Sequence, residues 1–214
     1  MLLKFTMVFL GGIMFSGIVE CIGKIIAIDQ ATPIWRFSIE SIPIVADLKI
    51  GDSVAINGVC LTVIDFHSSY FKVEVVPETQ RCTNFFKFQV GDEVNLERSI
   101  TANSRIGGHF MQGHVDTVCE VLAIKLEDSA WLLTLSLPKS LKPYVINKGF
   151  IGLDGMSITI IKVGEDNFTA TLIPHTQAVT IAKTYKIGSL INVEIDMLGK
   201  YIVNYLETTH AQSI

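Results

Sequence analysis

The chain has 214 residues, 49% apolar and 18% charged, a balance that excludes a disordered or collagen-like polymer and supplies enough apolar surface for a buried core. The 17 basic and 21 acidic residues give a net charge of −4. With no Lys/Arg cluster to follow a phosphate backbone, nucleic acid is excluded as an expected partner.

Met1 to Ile13 is mostly apolar with a single Lys4. It is too short to span a bilayer and no small-x-small cleavage site follows it, so the expectation is an extension from an upstream start, with the functional chain opening at Met14. No later stretch reaches the roughly 18 unbroken apolar residues of a membrane helix. Beyond Met14 the pattern is that of short strands. Asn57-Gly58 is a tight-turn signal, Lys72-Val73-Glu74-Val75-Val76 alternates, and Val94-Asn95-Leu96-Glu97 does the same. The second tight-turn signal is Asp154-Gly155.

An internal repeat organises these elements. A shift of 97 residues lays Gly58 on Gly155, Thr62 on Thr159, Phe71 on Phe168, Pro77 on Pro174, Gln80 on Gln177, Asn95 on Asn192 and Glu97 on Glu194 without a gap. Near the start of each half the shift is 96, which places Gly17-Ile18-Val19-Glu20 over Gly113-His114-Val115-Asp116. The expected organisation is a first barrel over 14–109, a second over 110–198 and a C-terminal helix over 199–214. About six strands per copy, with no helix to cover a sheet face, predict closure, because a barrel removes exposed edges. The fold class is therefore all-β: two tandem six-stranded antiparallel barrels with a short terminal helix. In that helix Ile202, Val203, Tyr205 and Leu206 fall at helical spacing and call for a partner, either the chain's own barrel or another copy.

The two tight turns lead into strands with different chemistry. Residues two apart on a strand share a face, so Cys60 and Thr62 point one way and Ser157 and Thr159 do likewise in the second copy, each pair offering small polar groups to a pocket on an inner face. Asp154 lies across the turn from Ser157, where a carboxylate could polarise the hydroxyl; its counterpart Asn57 cannot take a proton. His109 and His114 are five apart, face opposite ways and find no third ligand, which argues against a metal; His114 is instead a candidate for proton transfer. Cys21, Cys60, Cys82 and Cys119 show no Cys-x-x-Cys spacing and read as free thiols of a reducing compartment.

Met14 to Glu20, Ser53 to Val63, Gly107 to Asp116 and Lys148 to Thr159 resemble signature segments of the riboflavin synthase family, and the similarity extends over essentially the whole chain from Met14. The resemblance implies Greek-key barrels that each bind one 6,7-dimethyl-8-ribityllumazine. It also implies a cytoplasmic homotrimer held partly by C-terminal helices, with the working site between the first barrel of one subunit and the second barrel of its neighbour. The implied reaction moves a four-carbon unit between two lumazines, giving riboflavin and 5-amino-6-(ribitylamino)uracil with no cofactor and no metal. Association with lumazine synthase is a further partner that the resemblance admits.

Carried over residue by residue, the resemblance places Ser157, Asp154, Cys60, His114, Thr159, Ser53 and Lys148 at the reacting interface. Ser157, or a water it positions, would add to one lumazine with Asp154 polarising it, while His114 and Cys60 move protons at the other and Lys148 offsets negative charge. The first-half lining comprises Gly17, Ile18, Val19, Leu61, Thr62, Glu74, Val75, Val76, Pro77, Glu78 and Thr79. The second-half lining comprises Gly113, Val115, Ile158, Ile173, Pro174, His175, Thr176, Gln177 and Ala178. The rival is a non-catalytic lumazine- or flavin-binding protein of the same family, which has no need for Asp154, Ser157 and Thr159 together. A flavin-binding reductase barrel would bring a dinucleotide fingerprint, and none is present.

Overall fold

The computed structural model describes residues 14–211. The expected extension over 1–13 and positions 212–214 of the expected helix lie outside the described residues. The first six strands are β1 (Cys21–Asp29), β2 (Trp35–Glu40), β3 (Ser53–Ile56), β4 (Val59–Phe66), β5 (Tyr70–Val75) and β6 (Glu93–Arg98). The second six are β7 (Thr117–Glu127), β8 (Ala130–Ser136), β9 (Phe150–Leu153), β10 (Met156–Val163), β11 (Asn167–Leu172) and β12 (Leu190–Ile195). Each set closes into an antiparallel barrel, in the order β1-β2-β5-β4-β3-β6 and its equivalent β7-β8-β11-β10-β9-β12. Three consecutive hairpin strands with the fourth returning beside the first make a Greek key in both.

The repeat extends to the irregularities. The register slips between Ile25 and Ala27 and between Val63 and Asp65 in the first barrel, and at the matching points Val121/Ala123 and Ile160/Lys162 in the second. Such bulges bend a strand and add twist, which closing a small barrel requires. Asn57-Gly58 and Asp154-Gly155 are both left-handed, with φ of 46° and 76° and of 44° and 83°, as two-residue hairpin turns demand.

Alternation decides what each barrel buries. Val59, Leu61 and Val63 of β4 fill the first interior with Phe37, Phe71 and Phe85, and the Phe37 and Phe85 rings meet edge to face at 5.1 Å. Met156, Ile158 and Ile160 of β10 fill the second with Phe168, Leu133 and Leu135. Burying each such side chain contributes about 1.5–3 kcal/mol. One sequence expectation is corrected here: the strand faces bearing Cys60 and Thr62, and Ser157 and Thr159, are outer rather than inner, because the apolar partners at the intervening positions take the interior.

The C-terminal helix spans Met197–Ala211. Leu198, Tyr201, Ile202, Tyr205 and Leu206 form an exposed apolar stripe along it. None of the described helices is long and apolar enough to cross a membrane. The four cysteines are unbridged.

Candidate active site

The two barrels exchange their leading segments. Phe15 and Met111 form an antiparallel bridge on which the halves meet, their N–H groups donating to each other's carbonyls at 2.8 and 3.0 Å. From there the first half's segment runs onto the second barrel, where Ser157 N–H donates to Gly17 O at 2.8 Å. The second half's segment runs onto the first barrel, where Cys60 N–H donates to Gly113 O at 2.9 Å. Both glycines are left-handed, and a Cβ at Gly17 would lie 2.6 Å from Ser157 Cβ, one at Gly113 2.5 Å from Cys60 Cβ. Each small polar side chain on a barrel's outer face is thus walled by backbone from the other half.

Buried carboxylates hold these walls. Ser16 N–H and Oγ–H donate to Glu97 Oε1 at 2.7 and 2.8 Å, and Gly17 N–H donates to Oε2 at 3.1 Å. In the second half Gln112 and Gly113 N–H donate to Glu194 at 2.7 and 3.0 Å. Burial lifts the Glu97 carboxyl to about 7 and raises that of Glu194, against the opposing pull of the N–H groups they accept. The repeated Glu97 and Glu194, set among apolar strand residues, are the sequence signal for this support, and they stand outside the expected site residues.

Around Ser157 the chemistry is most developed. Its hydroxyl lies 2.6 Å from His109 Nδ1, and the His109 ring stacks on Phe150 at 5.2 Å with a 9° interplanar angle. Burial lowers the His109 pKa, with Asp196 acting in the opposite sense, so the ring is neutral at pH 7 and can take the serine proton. The rate should therefore fall on the acid side as His109 protonates, with an apparent pKa below the ordinary 6.5. His109→Gln should remove that limb from a kcat–pH profile, and an unchanged limb would take His109 out of the proton transfer. His114, the histidine expected to transfer protons, is exposed; the signal in the sequence for His109 is a histidine between Gly108 and an aromatic.

Asp154 is placed elsewhere than predicted. Its carboxylate accepts from Tyr185 Oη–H at 2.7 Å, from Asn192 N–H at 2.9 Å and from Asn84 Nδ2–H at 3.4 Å, all in the seam between the barrels, while the Ser157 hydroxyl meets His109. Burial pushes Asp154 up to about 6.

The first-barrel counterpart of the serine is Cys60, half-buried, its thiol raised by burial and drawn back by a hydrogen bond from buried Ser53. Thr62 and Thr159 share the outer faces with Cys60 and Ser157, and Lys148 is exposed beside β9 in a left-handed conformation, φ 63°. Leu61, Val75 and Ile158 point into the barrel interiors and can offer a ligand only backbone. Val76 and Ile173 are exposed, next to the short helices that open at Pro77 and Pro174. Glu78 is occupied by Arg81, and Glu74 by Arg36 at 2.9 Å. Gln177 has a structural task, donating to Leu172 O at 2.7 Å, as Gln80 does to Val75 O at 2.8 Å. Thr79 and Thr176 offer their carbonyls to the Thr83 and Thr180 hydroxyls, both at 2.6 Å. A cleft of about 620 Å³ lined by Ser16, Ile18, Ser53, Glu97 and Gly107 opens beside the first exchanged segment, a volume in the range of roughly 300–1,000 Å³ usual for small-molecule sites.

The duplicated Greek-key barrels are those of a tandem ligand-binding protein: the lumazine binding domain model matches residues 16–99 and again 112–196. The chain belongs to the riboflavin synthase family: it is 42% identical to riboflavin synthase of Bacillus subtilis over 90% of each chain. It is also 42% identical to that of Schizosaccharomyces pombe, over 91% of this chain and 94% of the yeast one. Among solved structures, LumP complexed with 6,7-dimethyl-8-(1'-D-ribityl) lumazine is similar, with a TM-score of 0.76 at 26% identity over 85% of this chain and 98% of that one. LumP complexed with riboflavin gives a TM-score of 0.79, also at 26% identity.

Proposed function

We propose that this chain is a riboflavin synthase, a transferase that dismutates two molecules of 6,7-dimethyl-8-ribityllumazine into riboflavin and 5-amino-6-(ribitylamino)uracil. The observation that carries the reading is the exchange of Gly17 and Gly113 between barrels: it sets Ser157 and Cys60 each against backbone of the other half, and two identical substrates want two like sites. The chemistry of those sites differs, Ser157 with a neutral His109 in one and Cys60 with Ser53 in the other. That suits a reaction in which identical molecules play opposite roles.

One lumazine loses a proton from its acidic methyl group and becomes a carbon nucleophile; the other becomes the electrophile once a hydroxyl adds to its ring. Ser157, or a water it holds, supplies that hydroxyl as His109 takes the proton. Thr159 lies on the same face to orient the ring, and Lys148 offsets charge that develops on it. At the first pocket Cys60, Ser53 and His114 handle the methyl proton. The four-carbon unit then passes between rings as the added hydroxyl is expelled and regains its proton, so nothing is added or lost overall and the two products together contain the atoms of the two substrates. Holding the reactants face to face supplies most of the acceleration, a contribution on the order of 7–11 kcal/mol.

The first barrel of one subunit faces the second barrel of the next in a homotrimer, a reading supported by the unpartnered apolar stripe Leu198, Tyr201, Ile202, Tyr205 and Leu206. Four unbridged thiols accord with a cytoplasmic location. Co-expressing a Ser157→Ala chain with a Thr62→Trp chain, each inactive alone, should restore riboflavin formation, because mixed trimers contain one interface with both pockets intact. No activity in the mixture would rule out a shared site.

A further inference from the structure

The seam between the barrels is built by the same residues twice. Asn95 Nδ2–H donates to Asp154 O and Asn192 Nδ2–H donates to Asn57 O, both at 2.9 Å, so each half holds the other's tight turn. Asn84 N–H donates to Asn192 Oδ1 at 2.8 Å and, at the equivalent place, Ile181 N–H to Asn95 Oδ1 at 2.9 Å. The matching turn bonds are Asn95 N–H to Asn57 Oδ1 at 2.6 Å and Asn192 N–H to Asp154 Oδ1 at 2.9 Å. This symmetry is broken at Asn84, whose place Ile181 takes in the second half, and at one pair of positions that hydrogen-bond each other. The second half has Asp154 with Tyr185, joined at 2.7 Å; the shift of 97 puts Asn57 and Phe88 in their places. Phe88 has no hydroxyl, and Asn57 Nδ2 is accordingly buried without a partner. The two positions change together: a carboxylate where a phenol can donate to it, an amide where none can.

We infer that Tyr185 is a positioning residue for the reaction: by fixing the Asp154 side chain it fixes how the two barrels dock, and with that the width of both pockets. The inference rests on the proposed activity and adds to it a residue outside the pockets. Its mechanical basis is short. The turns lie back to back, and Cys60 and Ser157 each follow two residues after the turn glycine, on strands that extend about 3.3 Å per residue. Because Ser157 is held to Gly17 and Cys60 to Gly113, each pocket has one wall from each barrel, and any slip at the seam moves one wall past the other. Asp154 is the point where such a slip would start. Its carboxylate is buried, it receives a hydrogen bond from Asn84 of the first half, and without the Tyr185 hydroxyl one oxygen loses its 2.7 Å donor.

The test compares Tyr185→Phe, Asp154→Asn and the double variant, which reproduces in the second half the Asn57/Phe88 pair already present in the first. Wild-type protein is assayed alongside, so a wild type that forms no riboflavin would indict the proposed activity rather than the seam. With an active wild type, Tyr185→Phe should lower kcat about tenfold while lumazine affinity stays within twofold. The double variant should recover kcat to within about threefold of wild type. An unchanged kcat in Tyr185→Phe overturns the inference. So does a double variant no faster than Asp154→Asn, because Asp154 would then act on its own account. Should Tyr185→Phe not fold, the comparison of the double variant with Asp154→Asn decides the question by the same criterion.

Discussion

Ser157→Ala lowers kcat by about 10²–10³-fold and leaves the dissociation constant for 6,7-dimethyl-8-ribityllumazine within about twofold. The size follows from what the hydroxyl does. Hydrogen-bonded to a neutral imidazole 2.6 Å away, it is an activated nucleophile or the anchor of an activated water, and positioned proton transfer of that kind contributes roughly 10²–10⁴-fold. The small effect on binding follows from the surroundings: Ser157 N–H still donates to Gly17 O, so the pocket wall stays in place without the side chain oxygen. Stopped-flow turnover and equilibrium fluorescence titration separate the two quantities. A kcat unchanged within twofold would remove Ser157 from the chemistry.

Gly58→Ala lowers the stability of the folded chain by about 3 kcal/mol and reduces activity with it. Two costs add. At φ 76° a non-glycine residue costs about 1–2 kcal/mol, and a Cβ there would stand 2.6 Å from Gly155 N, a backbone atom that cannot turn aside, at an overpacking cost of about 1–3 kcal/mol. Gly51 supplies the control. It is also left-handed, at φ 94°, but nothing lies within 4 Å of its Cβ position, so Gly51→Ala reports the backbone cost alone. The midpoint of denaturant unfolding, at constant slope, measures the difference. Equal effects at the two positions would mean that the turns do not pack as tightly as the seam requires.

The repeat made the fold legible. Alternating β-branched segments and the Asn57-Gly58 and Asp154-Gly155 pairs identify hairpins locally, and a gapless shift of 97 applies the same reading to both halves. The site was only partly legible, for physical reasons that differ from residue to residue. Ser157 and Cys60 could be chosen because the repeat puts unlike polar residues at equivalent strand positions. The face they occupy could also have been read, since Val59, Leu61 and Val63 claim the interior and leave Cys60 and Thr62 outside. Asp154 was misdirected: sequence proximity to Ser157 suggested contact, but a turn side chain follows whatever packs on the turn, and here that is the seam with Tyr185 and Asn192. His109 is not legible as a site residue because its partner lies 48 residues away, beyond any local pattern. Glu97 and Glu194 were visible as a repeated acid, yet what they hold, the exchanged segments at Ser16–Gly17 and Gln112–Gly113, exists only once the barrels have docked.

Purified protein incubated with 6,7-dimethyl-8-ribityllumazine alone, and followed by chromatography of both products, bears most directly on the claim that twin pockets serve one reaction between identical molecules. One riboflavin and one 5-amino-6-(ribitylamino)uracil should appear for every two lumazines consumed, with chelator present and no nucleotide added. Binding of the lumazine with no riboflavin formed would contradict the account and leave a chromophore-binding protein in its place.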